Sequence, residues 1–353
     1  MSDGKPVLVL GGGIAGITAA VEAAEAGCEV ILAEKSPSLG GRVARSNLYF
    51  PKLCPPACGL EINYRRIRAN PRITVLTQAE LEQLSGLPGD FEATLRIEPR
   101  YVTADCTGCG ECSKVCPAEI ADEYNSGMAK TKAVRLPFAA AYPARYALER
   151  SACPAGCEAC VKACSYNAID LQQQAERKTL RVAAVIAATG WAPYDASKLT
   201  ELGFGKYPNV ITNVMLERLA AVDGPTGGRI LRPSDQQPPG MTVFVQCAGS
   251  RDENHLPYCS AVCCAASLKQ ATYLRDLYPE LPITVFYIDI RTPGRLEDFH
   301  VKVAADPKLA LVKGKVGQID EDPATHDLIV TAEEVQSGKK STQRVGMVVL
   351  ATG

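Results

Sequence analysis

This sequence of 353 residues has little net charge, few histidines and no long apolar run. Its 38 lysines and arginines nearly cancel its 39 aspartates and glutamates, leaving a formal net charge of -1. A balance that close gives no electrostatic reason to expect nucleic acid or an anionic membrane surface as a partner. No stretch approaches the roughly 18 apolar residues that a helix needs to cross a bilayer. The apolar start "PVLVL" (6–10) is short and runs directly into glycines, unlike a secretory signal. A cytoplasmic protein is therefore expected. The three histidines are His255, His300 and His326. Only His255, in a cysteine-rich loop, is placed where it could ligate, and all three read first as solvated residues. No Ser-His-Asp, Cys-His or paired-carboxylate pattern stands out, so no acid-base or nucleophilic catalyst is assigned.

Cysteine, by contrast, is abundant, with fifteen residues. In a chain read as cytoplasmic, where thiols stay reduced, that number argues for metal ligation rather than a disulfide framework. The length allows two or three domains with substantial cores.

The first chemistry-bearing stretch is "PVLVLGGGIAGITAAVEAAEAGCEVILAEK" (6–35). A buried strand meets Gly11-x-Gly13-x-x-Gly16, an alanine-rich helix follows, and a second apolar strand ends in Glu34. Gly11 permits the tight turn, Gly13 lets the backbone approach a pyrophosphate, and Gly16 lets helix and strand pack closely. The helix start then offers free N–H groups and a positive dipole end to phosphate, and Glu34 is placed to accept from ribose hydroxyls. Next, "EKSPSLGGRVARS" resembles the loop of two-dinucleotide-binding-domain flavoproteins, where Gly-Gly-Arg lies beside the flavin half of FAD. "VAAVIAATGW" (182–191) resembles the Ala-Thr-Gly motif that closes their FAD domain. The resemblance implies FAD, with contacts from Gly11, Gly13, Gly16, Glu34, Gly41, Arg42, Thr189 and Gly190, and from Gly12, Ile14, Ala15 and Lys35 around them.

Between 101 and 170 the pattern changes. "CTGCGECSKVCP" carries Cys106, Cys109, Cys112 and Cys116 at the C-x2-C-x2-C-x3-C-P spacing of bacterial ferredoxins, and "CPAGCEACVKAC" carries Cys153, Cys157, Cys160 and Cys164. In such pairs the fourth cysteine ligates the other cluster. The expected sets are Cys106, Cys109 and Cys112 with Cys164, and Cys153, Cys157 and Cys160 with Cys116. The second motif departs twice, opening as C-x3-C and ending in Ser165 instead of proline. A zinc ribbon would use four thiolates and leave four unexplained. The flanks 91–102 and 179–190 read as strands, with 168–174 pairing between them as a meander. The ferredoxin module is thus an insertion into a flavin domain.

Beyond Trp191 the plan repeats: strand "TVFVQ", helix "CAASLKQATYLRDLYPE", strand "ITVFYIDI", and a tail ending in Ala351-Thr352-Gly353. The loop where a pyridine nucleotide would be held, "QCAGSRDENHLPYCSAVCC" (246–264), has no glycine fingerprint. It holds Cys247, Cys259, Cys263 and Cys264, enough for a third cluster, with buried structural cysteines as the plain alternative. Cys54 and Cys58 read as structural.

The flavin fingerprint, the inserted two-cluster module, the C-x11-C-x3-C-C set and the linking segment "AVRLPFAAAYPARYALERSAC" (133–153) together resemble the A-type subunits of heterodisulfide reductase. The short bacterial form associated with cytoplasmic sulfur-compound oxidation is the nearer likeness. The expected fold is α/β, a thioredoxin-reductase-like two-dinucleotide-binding-domain flavoprotein with an inserted bacterial-type ferredoxin module. Its parts are 1–100 plus 171–192 for FAD, 101–170 for two [4Fe-4S] clusters, and 193–353 for a second Rossmann-like domain with a third. The resemblance implies electron transfer between FAD and clusters, other heterodisulfide-reductase-like subunits as partners, and a homodimer. An NAD(P)H-dependent flavin disulfide reductase or glutamate-synthase-like reductase, and a scaffold subunit with structural FAD, stay open as alternatives.

Overall fold

The computed structural model describes residues 4–353, and the chain divides into two units, Met1–Trp191 and Ala192–Gly353. In the first unit, β1 (Val7–Leu10), α1 (Ile14–Glu25), β2 (Val30–Glu34), α2 (Pro56–Ala69) and β3 (Ile73–Thr77) build an α/β layer. β4 (Ala79–Leu87) and β5 (Asp90–Ile97) then lead as a hairpin into the cysteine-rich segment. That segment holds α3 (Glu111–Lys114), the short strands β6 (Glu119–Ala121), β7 (Lys130–Lys132), β8 (Val134–Arg135) and β9 (Ala147–Leu148), and α4 (Ala159–Ala163). The chain returns through β10 (Glu176–Val182) and β11 (Ala184–Ala187). The parallel sheet runs β11-β1-β2-β3 and the antiparallel meander β10-β5-β4.

Alternation along β1 explains the layering, because successive side chains leave a strand on opposite faces. Val9 joins Ile17, Ala20 and Val21 of α1 and Leu60 of α2 in one core. Leu8 joins Ala93, Leu95 and Val182 of the meander in another. The cysteine-rich segment has its own core, in which Cys112, Cys116 and Cys160 pack with Ala133, Val134, Leu148 and Ile169.

Two strand expectations need correction. Residues 168–174 form no strand; they meet the chain at 101–103 through a single bridge, Val102 to Ile169. The cause is local. Asp170 accepts from the N–H of Gln172 in a side-chain turn, and the Gln173 Oε1 takes the Tyr101 N–H at 2.7 Å. A side chain has replaced a ladder carbonyl. The 179–190 stretch is two strands in two sheets, turning at Ala183, whose N–H donates to Pro6 and whose carbonyl accepts from Gly89.

The second unit is one seven-stranded sheet, β12-β18-β13-β14-β15-β16-β17. Its elements are β12 (Val210–Thr212), α5 (Asn213–Ala220), β13 (Thr242–Ala248), α6 (Cys263–Leu277), β14 (Ile283–Tyr287), α7 (Leu296–Ala304), β15 (Leu309–Glu321), β16 (Leu328–Glu334), β17 (Lys340–Val345) and β18 (Met347–Thr352). β18 is buried along its whole length between β12 and β13, as a parallel strand covered on both faces should be. β15 pairs parallel with β14 and, through its far half, antiparallel with β16.

Candidate cofactor sites

The glycine turn after β1 is built by close backbone contacts. Gly11 has φ +103°, and a Cβ there would meet the Ala188 carbonyl oxygen at 2.2 Å. A Cβ on Gly16 would meet the Gly11 oxygen at 1.8 Å, and one on Gly12 the Leu39 side chain at 2.4 Å. Gly13 is different: its backbone is an ordinary extended one, and its Cβ would meet nothing closer than Gly41 Cα at 3.9 Å. The space over Gly13 is left free by the protein itself, at the N-cap of α1. That cap has no side-chain partner, and the first turn of α1 has no acid in it. The N–H groups of Ile14 and Ala15 lie in that first turn, where an anion is favoured by orphan donors and the dipole together.

Glu34 is buried, and its two oxygens accept from Gly12 N–H at 2.5 Å and Ser36 N–H at 2.7 Å. Each oxygen keeps a lone pair for a hydroxyl donor. Gly41, φ +55°, is pressed against Gly13, with Cβ-to-Cα clearance of only 2.8 Å. Arg42 turns toward the closing motif: its Nε donates to the Trp191 carbonyl at 2.6 Å and its guanidinium lies 4.7 Å over the indole. Thr189 abuts the Gly11 turn and Gly190 takes φ +72° with open space around it. A cavity of about 290 Å³ opens beside Lys35, Pro37, Leu39 and Gly41 and is also lined by Asp122, Tyr124 and Phe138 of the cysteine-rich segment. The cradle at Gly13, the open helix start and the acid at β2 fit a dinucleotide such as FAD.

In the cysteine-rich segment Cys106, Cys109, Cys112 and Cys164 line one small cavity of about 20 Å³, with Val102, Tyr146 and Ile169 as its apolar wall. Burial pushes the Cys112 thiol up to about 11, and Cys106, Cys109 and Cys160 add to the rise. Burial also raises Cys160, with Cys153 and Cys116 among the groups whose charge adds to it. Cys164 thus borders the first motif's thiols and Cys116 neighbours the second's. The Ala168 N–H points to Cys164 Sγ at 3.4 Å, an N–H···S contact of the kind that steadies a thiolate. Gly108 and Gly110, at φ +74° and +87°, shape the loop. Among the described residues no group of three or more His, Cys, Asp and Glu is closed around one metal ion; the thiols border a space instead.

In the second unit β13 loses register with β18 between Val245 and Ala248, and Cys247 sits in that irregularity at φ +58°. Ala261 is also left-handed, at φ +60°, before α6 begins at Cys263. Non-glycine residues rarely adopt this conformation, and such strain tends to gather at ligand-holding turns. The four cysteines share one neighbourhood. Burial pushes Cys263 up to about 11, with Cys247, Cys264 and Cys259 adding to it. Cys247 and Cys264 are raised chiefly by burial, then by Cys264 and by Cys259 respectively, while Arg251 and Arg291 pull in the opposite direction. Ser260 Oγ lies 3.0 Å from Cys263 Sγ, and the Ala261 N–H is 3.4 Å from Cys259 Sγ. At Cys247, Cys263 and Cys264 the uncharged thiol is favoured until a cation draws the proton off, and these three beside Cys259, with N–H donors nearby, fit an iron–sulfur cluster. His255 is engaged by Tyr194, whose hydroxyl is 2.5 Å from its Nδ1.

Arg100, Arg251, Asp289 and Arg291 were not singled out by sequence. Each lies in a loop, with no spacing that marks it. Cys54 bridges Tyr49 through the backbone and Cys58 is exposed on α2. All fifteen cysteines are free thiols.

Residues 6–194 match the family of FAD dependent oxidoreductases. The chain is 39% identical over 349 residues to an A-type iron-sulfur subunit of the CoB–CoM heterodisulfide reductase of Methanopyrus kandleri, covering 98% of this chain and 53% of that protein. It is 38% identical to the A-type subunit of the ferredoxin/F420H2-dependent CoB–CoM heterodisulfide reductase of Methanosarcina acetivorans, covering 99% of this chain and 44% of that protein. The chain therefore spans about half the length of the curated relatives it matches. Among solved structures, thioredoxin reductase from Lactococcus lactis aligns with 99% of this chain and 77% of its own, at 11% identity and a TM-score of 0.49.

Proposed function

The chain belongs to the FAD dependent oxidoreductase family, and on that premise we propose that it transfers electrons between FAD and three [4Fe-4S] clusters inside a heterodisulfide-reductase-like assembly. FAD supplies the exchange between two-electron and one-electron steps, and clusters carry single electrons. The chain's own residues bind and tune. The Gly13 turn and the start of α1 hold the pyrophosphate, Glu34 takes ribose hydroxyls, and the Gly41–Arg42 loop and the Thr189–Gly190 turn face the same cofactor. Cys106, Cys109, Cys112 and Cys164 hold one cluster, and Cys153, Cys157, Cys160 and Cys116 a second. Cys247, Cys259, Cys263 and Cys264 hold the third, with Arg251 and Arg291 moderating its negative charge. The named relatives support partner subunits of heterodisulfide-reductase type, and the same reading has a homodimer acting in the cytoplasm on sulfur compounds.

One observation carries the proposal. Four thiols occupy the β13–α6 turn, where a second dinucleotide-binding unit would cradle the pyrophosphate of a hydride donor. NADH or NADPH added anaerobically should leave the flavin absorbance unchanged over minutes, while dithionite should bleach flavin and clusters together. Prompt bleaching by either nicotinamide would overturn the proposal in favour of a pyridine-nucleotide disulfide reductase.

A further inference from the structure

Arg100 stands between the meander and the first cysteine motif. Its side chain is buried, and its fork is spent on uncharged acceptors from three separate segments. Nε donates to the Tyr146 carbonyl at 2.7 Å and Nη2 to the Arg145 carbonyl at 2.6 Å. Nη1 donates to the Pro37 carbonyl at 2.6 Å and reaches Thr77 Oγ1 at 3.3 Å. The backbone is tied as well, since the Leu148 N–H donates to the Arg100 carbonyl. Two of these partners face two different cavities. Tyr146 lines the one bordered by Cys106, Cys109, Cys112 and Cys164, and Pro37 lines the larger one beside Lys35 and Gly41. Arg100 thus ties a residue lining one cavity to a residue lining the other.

A buried guanidinium bonded only to carbonyls and a hydroxyl is an expensive arrangement unless negative charge stands close by. Burial and the neighbouring Arg145 push the Arg100 guanidinium down to about 10, and Cys106 is the group that works in its favour. A cluster on four thiolates carries net negative charge, and one more negative charge when it takes an electron.

We propose that Arg100 is the positioning residue between the two cofactor regions, fixing the loop after β2 against the thiol-lined cavity and stabilising the reduced state of the cluster held by Cys106, Cys109, Cys112 and Cys164. The inference rests on the cluster assignment in the proposed function. In the step it affects, one electron enters the cluster from an external reductant, no bond forms or breaks, and Arg100 stays protonated throughout.

The test uses the full chain purified anaerobically, with iron and FAD counted first and the clusters titrated potentiometrically under electron paramagnetic resonance. Arg100→Gln should keep its iron and weaken that cluster's electron affinity about tenfold, a potential about 59 mV more negative for a one-electron centre. Arg100→Lys, which keeps the charge but loses the fork, should stay within about threefold of the original chain. An Arg100→Gln protein with full iron and an unmoved potential overturns the inference. Should that variant lose its iron or fail to fold, Arg100→Lys decides: a tenfold loss with the charge retained would equally overturn it. Failure of the underlying cluster assignment looks different, because it appears as missing iron in the unsubstituted chain.

Discussion

At Gly16 an added Cβ would lie 1.8 Å from the Gly11 carbonyl oxygen, while at Gly13 it would find open space. The same residue type therefore permits close packing at one position and leaves open space at the other. Gly16→Ala should destabilise the chain by about 1–3 kcal/mol, as overpacking does, and lower its melting temperature with or without FAD. Gly13→Ala should leave the melting temperature of the FAD-free chain unchanged and abolish the rise that added FAD gives, since only a ligand that binds the native state raises it. If Gly13→Ala binds FAD as well as the original chain, the pyrophosphate does not lie over Gly13. The close packing at Gly11 and Gly16 was legible from glycine spacing, because that spacing is itself a consequence of backbone clearance. The left-handed turns at Cys247 and Ala261 were not. Cysteine and alanine carry no mark of positive φ, so only the surrounding chain imposes it. Arg100 was equally invisible: its partners are carbonyls, which every residue possesses.

The elements that hold the thiols are short. α3 and α4 span four and five residues, each carrying a buried cysteine, Cys112 and Cys160. Helices this short do not stand alone, so their placement depends on the small core they share with Val134, Leu148 and Ile169. Cysteine spacing made both motifs visible, and it also suggested that each motif's last cysteine belongs with the other. Cys164→Ser should remove about four irons, leave the second module cluster, and spare FAD content. Equal loss of iron from both module clusters would contradict the sorting, as would no loss at all. Cys54→Ser serves as the comparison and should change neither iron nor FAD. The meander was harder to read. An apolar-polar alternation at 168–174 resembles a strand, but Asp170 and Gln173 spend their side chains on backbone N–H groups and curl the segment away from a ladder. Competition of this kind is decided by side-chain geometry rather than by hydrophobic period.

Over the whole chain, two units each carry a parallel sheet and an antiparallel meander, but their first turns differ. In one, glycines after β1 open a helix start to an anion; in the other, four cysteines surround the start of α6. The repeat of β, α, β and a closing Ala-Thr-Gly was readable at this scale because buried parallel strands are nearly continuous apolar runs. The extent of β15, thirteen residues shared between parallel and antiparallel neighbours, was not, since pattern alone does not say where one partner yields to the next. The most direct measurement of the central claim, that thiolate-held clusters and not a nicotinamide feed this flavin, is the ratio of iron and acid-labile sulfide to FAD in anaerobically purified protein. Three clusters require about twelve irons and twelve sulfides per FAD, four of each for every cubane. One or two zinc ions without labile sulfide would contradict it.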